Sequence, residues 1–296
     1  MKYRFIDENA RQFSVCMLCR VLVVPPASYY QWVKQGRARQ AVRAIAEAAL
    51  LEQIEKVYEE KHRLYGSPRI TVELRKIGKG RNRKKVAKVM RQADLRAKQA
   101  RRFKVTTRPD RDTSKAATVP DLVKRKFSAD EMNRLWTSDI TYVWTQEGWL
   151  YLAMILDVFS RRIIGYQMSE RITAKLVTDA LAMAVINRLG YGDPLNLIFH
   201  SDRGSQYTSD VVKALLARYS IRQSMGSVGS CYDNAISESF FHTLKTELIQ
   251  FEHYQTRQEA RSSIFEYIEG FYNRQRSHSS IGYCTPVQFE LLTNIS

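Results

Sequence analysis

A short apolar run that ends in an acid constrains the fold more than any other stretch of this chain. Residues 195–200 follow a Gly-Asp-Pro turn at 192–194 and predict a short buried strand. Asp202 comes just past the end of this predicted strand, and Gly204 permits an unusual backbone turn and the close approach of a ligand. An Asp after a strand is usually a turn or cap residue, so its meaning depends on its partners.

Two further acids could form a site together with Asp202. Asp139 lies in a β-rich run at 135–143, and Glu238 lies in a helical pattern at 233–245 that opens with Asp and Asn; 35 residues separate Asp202 from Glu238. Mg²⁺ prefers oxygen ligands and is usually held by few carboxylates together with substrate phosphate oxygens. Two such ions, about 3.5–4 Å apart, serve an in-line phosphoryl displacement. Three acids gathered at strand ends and on a helix face would suit this chemistry.

The charge of the chain is divided unevenly along its length. The formal net charge is +17, yet residues 1–126 carry +20 and residues 127–296 carry −3. This division indicates a polyanionic partner for the first part and an acid-bearing catalytic second part. A role in solubility alone is the alternative, but it does not explain the segregation.

The N-terminal part predicts an all-α region with a helix-turn-helix. Residues 1–40 predict a small helical segment with a short helix from 27. Residues 41–98 predict a DNA-binding domain of three helices: about 40–61 with Ile45 on its apolar stripe, 68–77 capped by Ser67, and a basic helix capped by Asn82. The predicted DNA contacts of this helix are Arg83, Lys84, Lys85 and Lys88. A solvated basic face without a ligand is the alternative.

A basic linker is predicted at 99–126, because it lacks apolar periodicity and contains Pro, Thr and alternating charges; Arg101 and Arg102 are its candidate DNA contacts. The α/β core is predicted at 127–255, with a mixed five-stranded sheet flanked by helices. Its predicted strands are 136–144, 149–156, 163–168, 195–200 and 221–224, and helices are predicted at 173–189, at 209–219 and around Glu238. Residues 256–296 predict a C-terminal helix and a basic tail.

The predicted Glu238 helix carries two more candidates. His242 and Lys245 lie four and seven residues after Glu238, so all three share a face. Lys245 is a candidate phosphate contact, whereas His242 could bind a phosphate or cap the core. Asp157 also lies at the end of a predicted strand, which makes it the runner-up carboxylate. The Arg-rich turn that follows it suggests that it pairs with a nearby arginine instead. The Gly/Ser-rich segment at 225–232 predicts a flexible loop before the helix.

Four cysteines give no sign of a disulfide scaffold, which fits a reducing cytosol. No apolar run is long enough for a membrane span, and acids before the apolar stretch at 15–24 argue against an export signal. A cytoplasmic location without membrane contact is therefore predicted.

The stretch from Trp136 to Lys245 resembles the catalytic core of retroviral integrases and bacterial transposases, the D,D-35-E superfamily with an RNase H-like fold. The resemblance rests on three motifs: Trp136-x-x-Asp139-Ile140-Thr141-Tyr142, His200-Ser201-Asp202-x-Gly204-Ser205-Gln206-Tyr207, and Asn234-x-x-x-Glu238 with Lys245. Residues 58–96 are similar to the helix-turn-helix of OrfB-type transposases of the insertion sequence 3 family, and 272–279 resemble the Tyr-Asn-x-x-Arg-x-His-Ser signature at the end of that family.

This resemblance implies DNA cleavage and joining by direct phosphoryl transfer. It implies that Asp139, Asp202 and Glu238 are catalytic and hold two Mg²⁺ or Mn²⁺ ions, with no organic cofactor. The implied partners are terminal inverted repeats, target DNA, an OrfA protein or fused OrfA region, and further copies of the chain on nucleoid DNA. The His/His/Cys/Cys zinc module of retroviral integrases is missing, so no structural zinc is implied.

Two alternative functions belong to other classes of protein. An RNase H-like nuclease that cuts without joining would keep all three acids. A non-catalytic DNA-binding protein would keep only the basic part, and intact acids count against it.

Overall fold

The computed structural model describes residues 1–98, 119–188, 196–226 and 235–293. The chain divides into two compact units, 1–97 and 98–296. The first part of the predicted linker, with Arg101 and Arg102, lies outside the described residues, as does most of the predicted loop at 225–232. The finer division into five segments stays a prediction.

The first unit is helical. Its helices are α1 (Lys2–Asn9), α2 (Val15–Val21), α3 (Pro26–Glu60), α4 (Ser67–Lys76) and α5 (Arg83–Gln92). The two helices predicted at 27–32 and 40–61 are one continuous helix, so the prediction of a break near residue 40 was wrong. Pro26 sits in the first turn of α3, where a proline is tolerated, and Gly36 costs a helix interior only about 1 kcal/mol.

The last part of α3 packs with α4 and α5. The cap of α5 was predicted correctly, because the Asn82 side chain accepts a hydrogen bond of 2.8 Å from the Lys84 backbone N–H. The prediction that Ser67 caps α4 was wrong, because the N-terminal capping residue of this helix is Gly66. Ile45, expected inside, is 72% exposed, since the buried side chains of this stretch of α3 begin at Leu50.

The second unit is built on a five-stranded sheet in the order β3-β2-β1-β4-β5. The strands are β1 (Leu135–Thr145), β2 (Gly148–Asp157), β3 (Ile163–Ser169), β4 (Ile198–Ser201) and β5 (Arg222–Met225). The β1–β2 and β2–β3 pairs are antiparallel, whereas β4 runs parallel to β1 and to β5. This confirms the predicted mixed α/β sheet of the RNase H type.

Helices cover the sheet and close the core. They are α6 (Ala174–Arg188), α7 (Asp210–Arg218), α8 (Ala235–Glu247), α9 (Arg257–Phe265) and α10 (Pro286–Thr293). Alternate residues of β1 and β2, such as Trp136 and Ile155, enter one apolar cluster with α6 and α7. Helix α8 packs on β1, and α9 packs on β1 and β2.

The approach of α6 to β3 depends on a glycine. A Cβ atom added to Gly165 would lie 2.3 Å from the Ala180 carbonyl oxygen and 2.8 Å from the Ala184 Cβ. Backbone atoms of a packed helix cannot move aside cheaply. Only glycine therefore lets β3 and α6 come this close.

We expect Gly165→Ala to lower the free energy of unfolding by about 1–3 kcal/mol, because it overpacks this contact. Urea denaturation measures the change. Gly36→Ala is the matched control, since nothing lies within 4 Å of a Cβ atom there and a helix interior favours alanine. Similar shifts for the two variants would contradict the packing argument.

The C-terminal segment completes the sheet. A π-helical stretch, Glu266–Tyr272, leads to Asn273, which is buried. The Asn273 amide donates to the Ile163 carbonyl and accepts from the Ile163 N–H, both at 3.0 Å. Because β3 is an edge strand, this side chain takes the place of a neighbouring strand and protects the edge.

None of the helices in the described parts of the chain is long and apolar enough to cross a membrane.

Candidate active site

The parallel pairing of β1 with β4 sets two acids side by side. Thr137 is the register partner of His200, the last pair of this ladder. Asp139 and Asp202 each follow their paired residue by two positions, so Asp202, just past the end of β4, lies beside Asp139 of the neighbouring strand β1; such strands lie about 4.8 Å apart. Since β4 ends at Ser201, β1 has a free edge at Asp139, where a substrate has access.

Glu238 reaches the same place from a helix. It lies in the first turn of α8, the helix that packs on β1. Glu238 and Asp202 are exposed, whereas Asp139 is partly buried. The structure thus places the three predicted acids near the end of β4, within range of one another's charges, with Asp139 as the most buried.

The electrostatics of Asp139 show that the acids interact. Burial, followed by the negative charge of Asp202 and, less strongly, that of Glu238, raises the pKa of Asp139 to about 8. The Ile140 backbone N–H, which donates to the Asp139 carboxylate at 2.8 Å, and the charge of Lys245 oppose this rise. Desolvation also raises the pKa of Asp202 and of Glu238. Such mutual repulsion favours a cation at this place.

The turn after β4 fixes the orientation of Asp202. Its carboxylate accepts a hydrogen bond of 3.0 Å from the Gly204 N–H. Beneath the acids lies Tyr207, fully buried, with its hydroxyl 3.0 Å from the Ser138 hydroxyl. Burial, together with the charges of Asp139 and Asp202, raises the pKa of Tyr207 well above its usual range. Sequence reasoning noted Tyr207 only as a motif residue and did not expect it to support the floor of the site.

Arg203 is a second residue that sequence reasoning missed. Its guanidinium donates to the Gly226 carbonyl at 2.7 Å and to the Val119 carbonyl at 3.2 Å. It therefore ties the residue after Asp202 to the end of β5 and to the segment that enters the core. The sequence feature that could have identified Arg203 is its position directly after Asp202.

The two other predicted residues of α8 differ in position. Lys245 is partly buried, and its ammonium lies 5.2 Å from the centre of the Tyr142 ring, close enough to Asp139 for their charges to interact. His242 is exposed on the same helix, so the role of a core cap is excluded, and phosphate contact remains a prediction.

Asp157, the runner-up carboxylate, does not join the three acids. It is completely buried, and its two oxygens accept hydrogen bonds of 2.9 Å from the Asn133 and Phe159 backbone N–H groups. The basic side chain that acts on its charge most strongly is that of Arg188, on α6, rather than an arginine of the adjacent turn. Asp157 is a structural residue of the β2–β3 turn.

The far end of α8 is held by the C-terminal tail. Glu247, the last residue of α8, accepts two hydrogen bonds, of 2.8 and 2.7 Å, from the guanidinium of Arg276, and one of 2.8 Å from the Tyr267 hydroxyl. Arg276 is itself buried and lies against the Tyr272 ring. The tail signature, which the sequence left as a docking segment of unknown role, is an internal clamp on the helix that carries Glu238.

In the first unit, the predicted DNA contacts of α5 fall into two groups. Arg83, Lys84 and Lys88 are exposed and remain candidates. Lys85 forms an ion pair with Glu47 of α3, so it ties the two helices together. The surface of α5 that is available for DNA contact is thus smaller than the sequence indicated.

The donor set of the three acids suits Mg²⁺ or Mn²⁺, because it consists only of carboxylate oxygens. Within the described ranges, no three His, Cys, Asp or Glu side chains converge closely enough to enclose an ion. The repulsion centred on Asp139 is the feature that such a cation would relieve.

Comparison with known families agrees with this architecture. The Integrase core domain family matches residues 129–231 and again 238–293, and an HTH-like domain family matches 45–103. Among solved structures, the catalytic core domain of BIV integrase aligns with 55% of this chain and 96% of its own, at 22% identity and a TM-score of 0.40. The HTLV-2 integrase catalytic core domain in complex with magnesium aligns with 55% of this chain and 99% of its own, at 16% identity and a TM-score of 0.42.

Curated relatives extend over nearly the whole chain. The transposase InsF for insertion sequence IS3A from Escherichia coli (strain K12) is 42% identical over 296 residues, which cover 98% of both chains. A 31 kDa protein of insertion element IS600 from Shigella sonnei is 39% identical over 272 residues, which cover 92% of this chain and 97% of that protein. The chain therefore belongs to the IS3 family of transposases with an integrase core.

Proposed function

We propose that Asp139, Asp202 and Glu238 are the catalytic acids of a transposase that cleaves and joins the ends of an insertion sequence. The observations that support this are the parallel register of β1 and β4, which sets Asp202 beside Asp139, and the packing on β1 of α8, the helix that carries Glu238. The charges of Asp202 and Glu238 add to burial in raising the pKa of Asp139. The match to the integrase core and the InsF relatives supports DNA transposition as the overall reaction.

The three acids would hold two Mg²⁺ or Mn²⁺ ions, with no organic cofactor. When bound, such ions activate the attacking oxygen and stabilise the leaving oxygen of a phosphodiester. Asp139 and Asp202, from neighbouring strands, would fix one side of the site, and Glu238 would close it from α8. The Gly204 N–H would orient the Asp202 carboxylate for this role.

The reaction has two displacements at phosphorus. In the first, water attacks the phosphodiester at the end of the element, the bond to the 3′ oxygen breaks, and that oxygen takes a proton to become a 3′-OH. In the second, this hydroxyl loses its proton and its oxygen attacks a target phosphodiester; the bond from that phosphorus to the 3′ oxygen of the target strand breaks, and the leaving oxygen takes a proton. Lys245 would contact a backbone phosphate beside the acids, with His242 as a weaker candidate.

The helix-turn-helix would supply affinity for the duplex. Arg83, Lys84 and Lys88 would contact phosphates from the exposed face of α5, which is sequence-independent binding. An OrfA protein or fused OrfA region and further copies of this chain are the proposed protein partners, on nucleoid DNA in the cytoplasm.

The test is a strand-transfer assay with end-labelled DNA that carries the inverted repeats flanking the gene, with Mg²⁺ or Mn²⁺. We expect 3′-end cleavage and joined products from the unaltered chain, fused to OrfA where required, and neither from Asp202→Ala. Cleavage without joining would favour the nuclease alternative. DNA processing unchanged by Asp202→Ala would sink the assignment of the acids.

A further inference from the structure

Three aromatic rings stand exposed at the turn end of the β1–β2 hairpin. Tyr142 is 37% exposed, Trp144 54% and Trp149 42%, and we name these three residues the hairpin aromatic patch. The Trp149 ring contacts both others edge to face, with ring centres 5.0 Å from Tyr142 and 4.7 Å from Trp144. Single exposed apolar residues are ordinary, but a contiguous group of large rings usually marks a binding surface.

Strand register explains why the rings form one group. Trp144 is paired with Trp149, and Tyr142 is paired with Tyr151, so all of them lie on one face of the hairpin. Further from the turn, Ile140 on the same face packs against the apolar cluster below α6 and α7. The patch continues this face beyond that cluster, and its rings remain exposed to solvent.

The patch adjoins the catalytic acids. Tyr142 follows Asp139 by three residues on β1, about 10 Å along the strand, so the two side chains leave the strand on opposite faces. The Lys245 ammonium lies 5.2 Å from the centre of the Tyr142 ring, and its charge also acts on Asp139. Lys245 thus lies near both the Tyr142 ring and Asp139, and it links the ring surface to the acids.

We propose that the hairpin aromatic patch stacks unpaired bases of the DNA substrate beside the phosphodiester that reacts. This inference rests on the proposed function, because it assumes that DNA lies across the three acids. The positive charge of Lys245 complements the anionic DNA backbone. The rings offer flat surfaces for bases that lie a few nucleotides from the acids. Aromatic rings stack on bases of any sequence, and base faces become accessible only when the duplex opens.

Binding measured without divalent ions separates stacking from catalysis. Fluorescence anisotropy in EDTA compares a labelled oligothymidine strand with a blunt duplex of equal length, at raised salt to weaken phosphate contacts. We expect Trp144→Ala and Trp149→Ala each to weaken binding of the single strand about tenfold and to leave duplex binding unchanged. Trp144→Phe, which keeps a ring, should retain most of the affinity.

The controls keep the outcomes distinct. Ile186→Ala removes an apolar side chain of α6 that is more exposed than the rings, and it should change neither affinity. Asp202→Ala should lose strand transfer but keep the preference of the patch for the single strand. If wild type lacks transfer while the tryptophan variants still lose single-strand affinity, the proposed function fails and the stacking surface stands.

Other results would overturn the stacking surface. Single-strand affinity unchanged by Trp144→Ala would do so, as would equal losses on single strand and duplex. A change of sedimentation coefficient in Trp144→Ala, with single-strand affinity intact, would assign the patch to contact with a second copy of the chain.

Discussion

Asp139→Asn is expected to abolish DNA strand transfer and, in the same protein, to raise the stability of the metal-free fold. A lost metal ligand removes several kcal/mol of transition-state stabilisation, and each 1.36 kcal/mol is tenfold in rate, so activity should fall about a thousandfold or more. The amide oxygen of asparagine can still accept the hydrogen bond from the Ile140 N–H, so the local structure is kept. Strand transfer and chemical denaturation measure the two effects.

The gain in stability follows from the raised pKa. The Asp139 carboxyl keeps its proton up to about pH 8 in the fold but loses it near its ordinary value of 3.8 when the chain unfolds. The wild-type fold therefore loses stability as the pH rises between these values, whereas asparagine has no proton to lose. The variant should exceed wild type by about 1–2 kcal/mol at pH 8, because water reaches part of this carboxyl and reduces the full effect. The difference should shrink toward pH 5.

Two controls make this result specific. Asp210→Asn alters a fully exposed carboxylate at the start of α7 and should change neither activity nor stability much. Mg²⁺ should stabilise wild type more than the Asp139→Asn variant, because binding to the folded state shifts the unfolding equilibrium. A variant that loses activity and is also less stable at every pH would mean that Asp139 is structural.

Arg276→Ala is expected to lower the free energy of unfolding by about 3–5 kcal/mol, the usual result of removing one partner from a buried ion pair. It removes the two guanidinium hydrogen bonds to Glu247 and leaves the desolvated charge of this carboxylate without its buried cation. Because α8 carries Glu238 nine residues before Glu247, about 13 Å along the helix, the released helix should also lose activity.

The control for this variant lies two residues away. Arg274 is exposed, so Arg274→Ala removes the same charge from the tail without breaking the clamp on α8. Adding Glu247→Gln to Arg276→Ala should recover part of the loss, because it removes the stranded charge. Equal stability of the Arg274 and Arg276 variants in urea would contradict the clamp.

Much of the second unit was predictable from local pattern. Alternating and buried runs indicated all five strands, and Thr145 and Gly148 do pair across a two-residue turn. Asp202 stands after a strand, Glu238 in the first turn of a helix and Asp139 within a strand, and the resemblance of the surrounding motifs to the integrase core singled out these three acids. The cap at Asn82 followed from the same local chemistry.

Other features had no local signal. Gly36 and the residues after it did not break α3, since one glycine is too weak a breaker in a long helix. Lys85 looks like its basic neighbours until Glu47 is seen beside it. The exposure of the hairpin aromatic patch was equally hidden, because aromatic strand residues are ordinarily core residues.

By itself the sequence determined which elements form and which residues could carry the chemistry, because strand and helix periodicity and the capping residues act over a few neighbours. Only the tertiary structure decided which charges meet. The parallel register of β1 and β4 set Asp202 beside Asp139 and left Asp157 in a turn. The fold also joined Arg276 to Glu247 across 28 intervening residues. Such contacts depend on the packing of residues that are distant in sequence. Burial strengthens each ion pair and hydrogen bond that this packing forms, and no local sequence pattern shows which residues will pair.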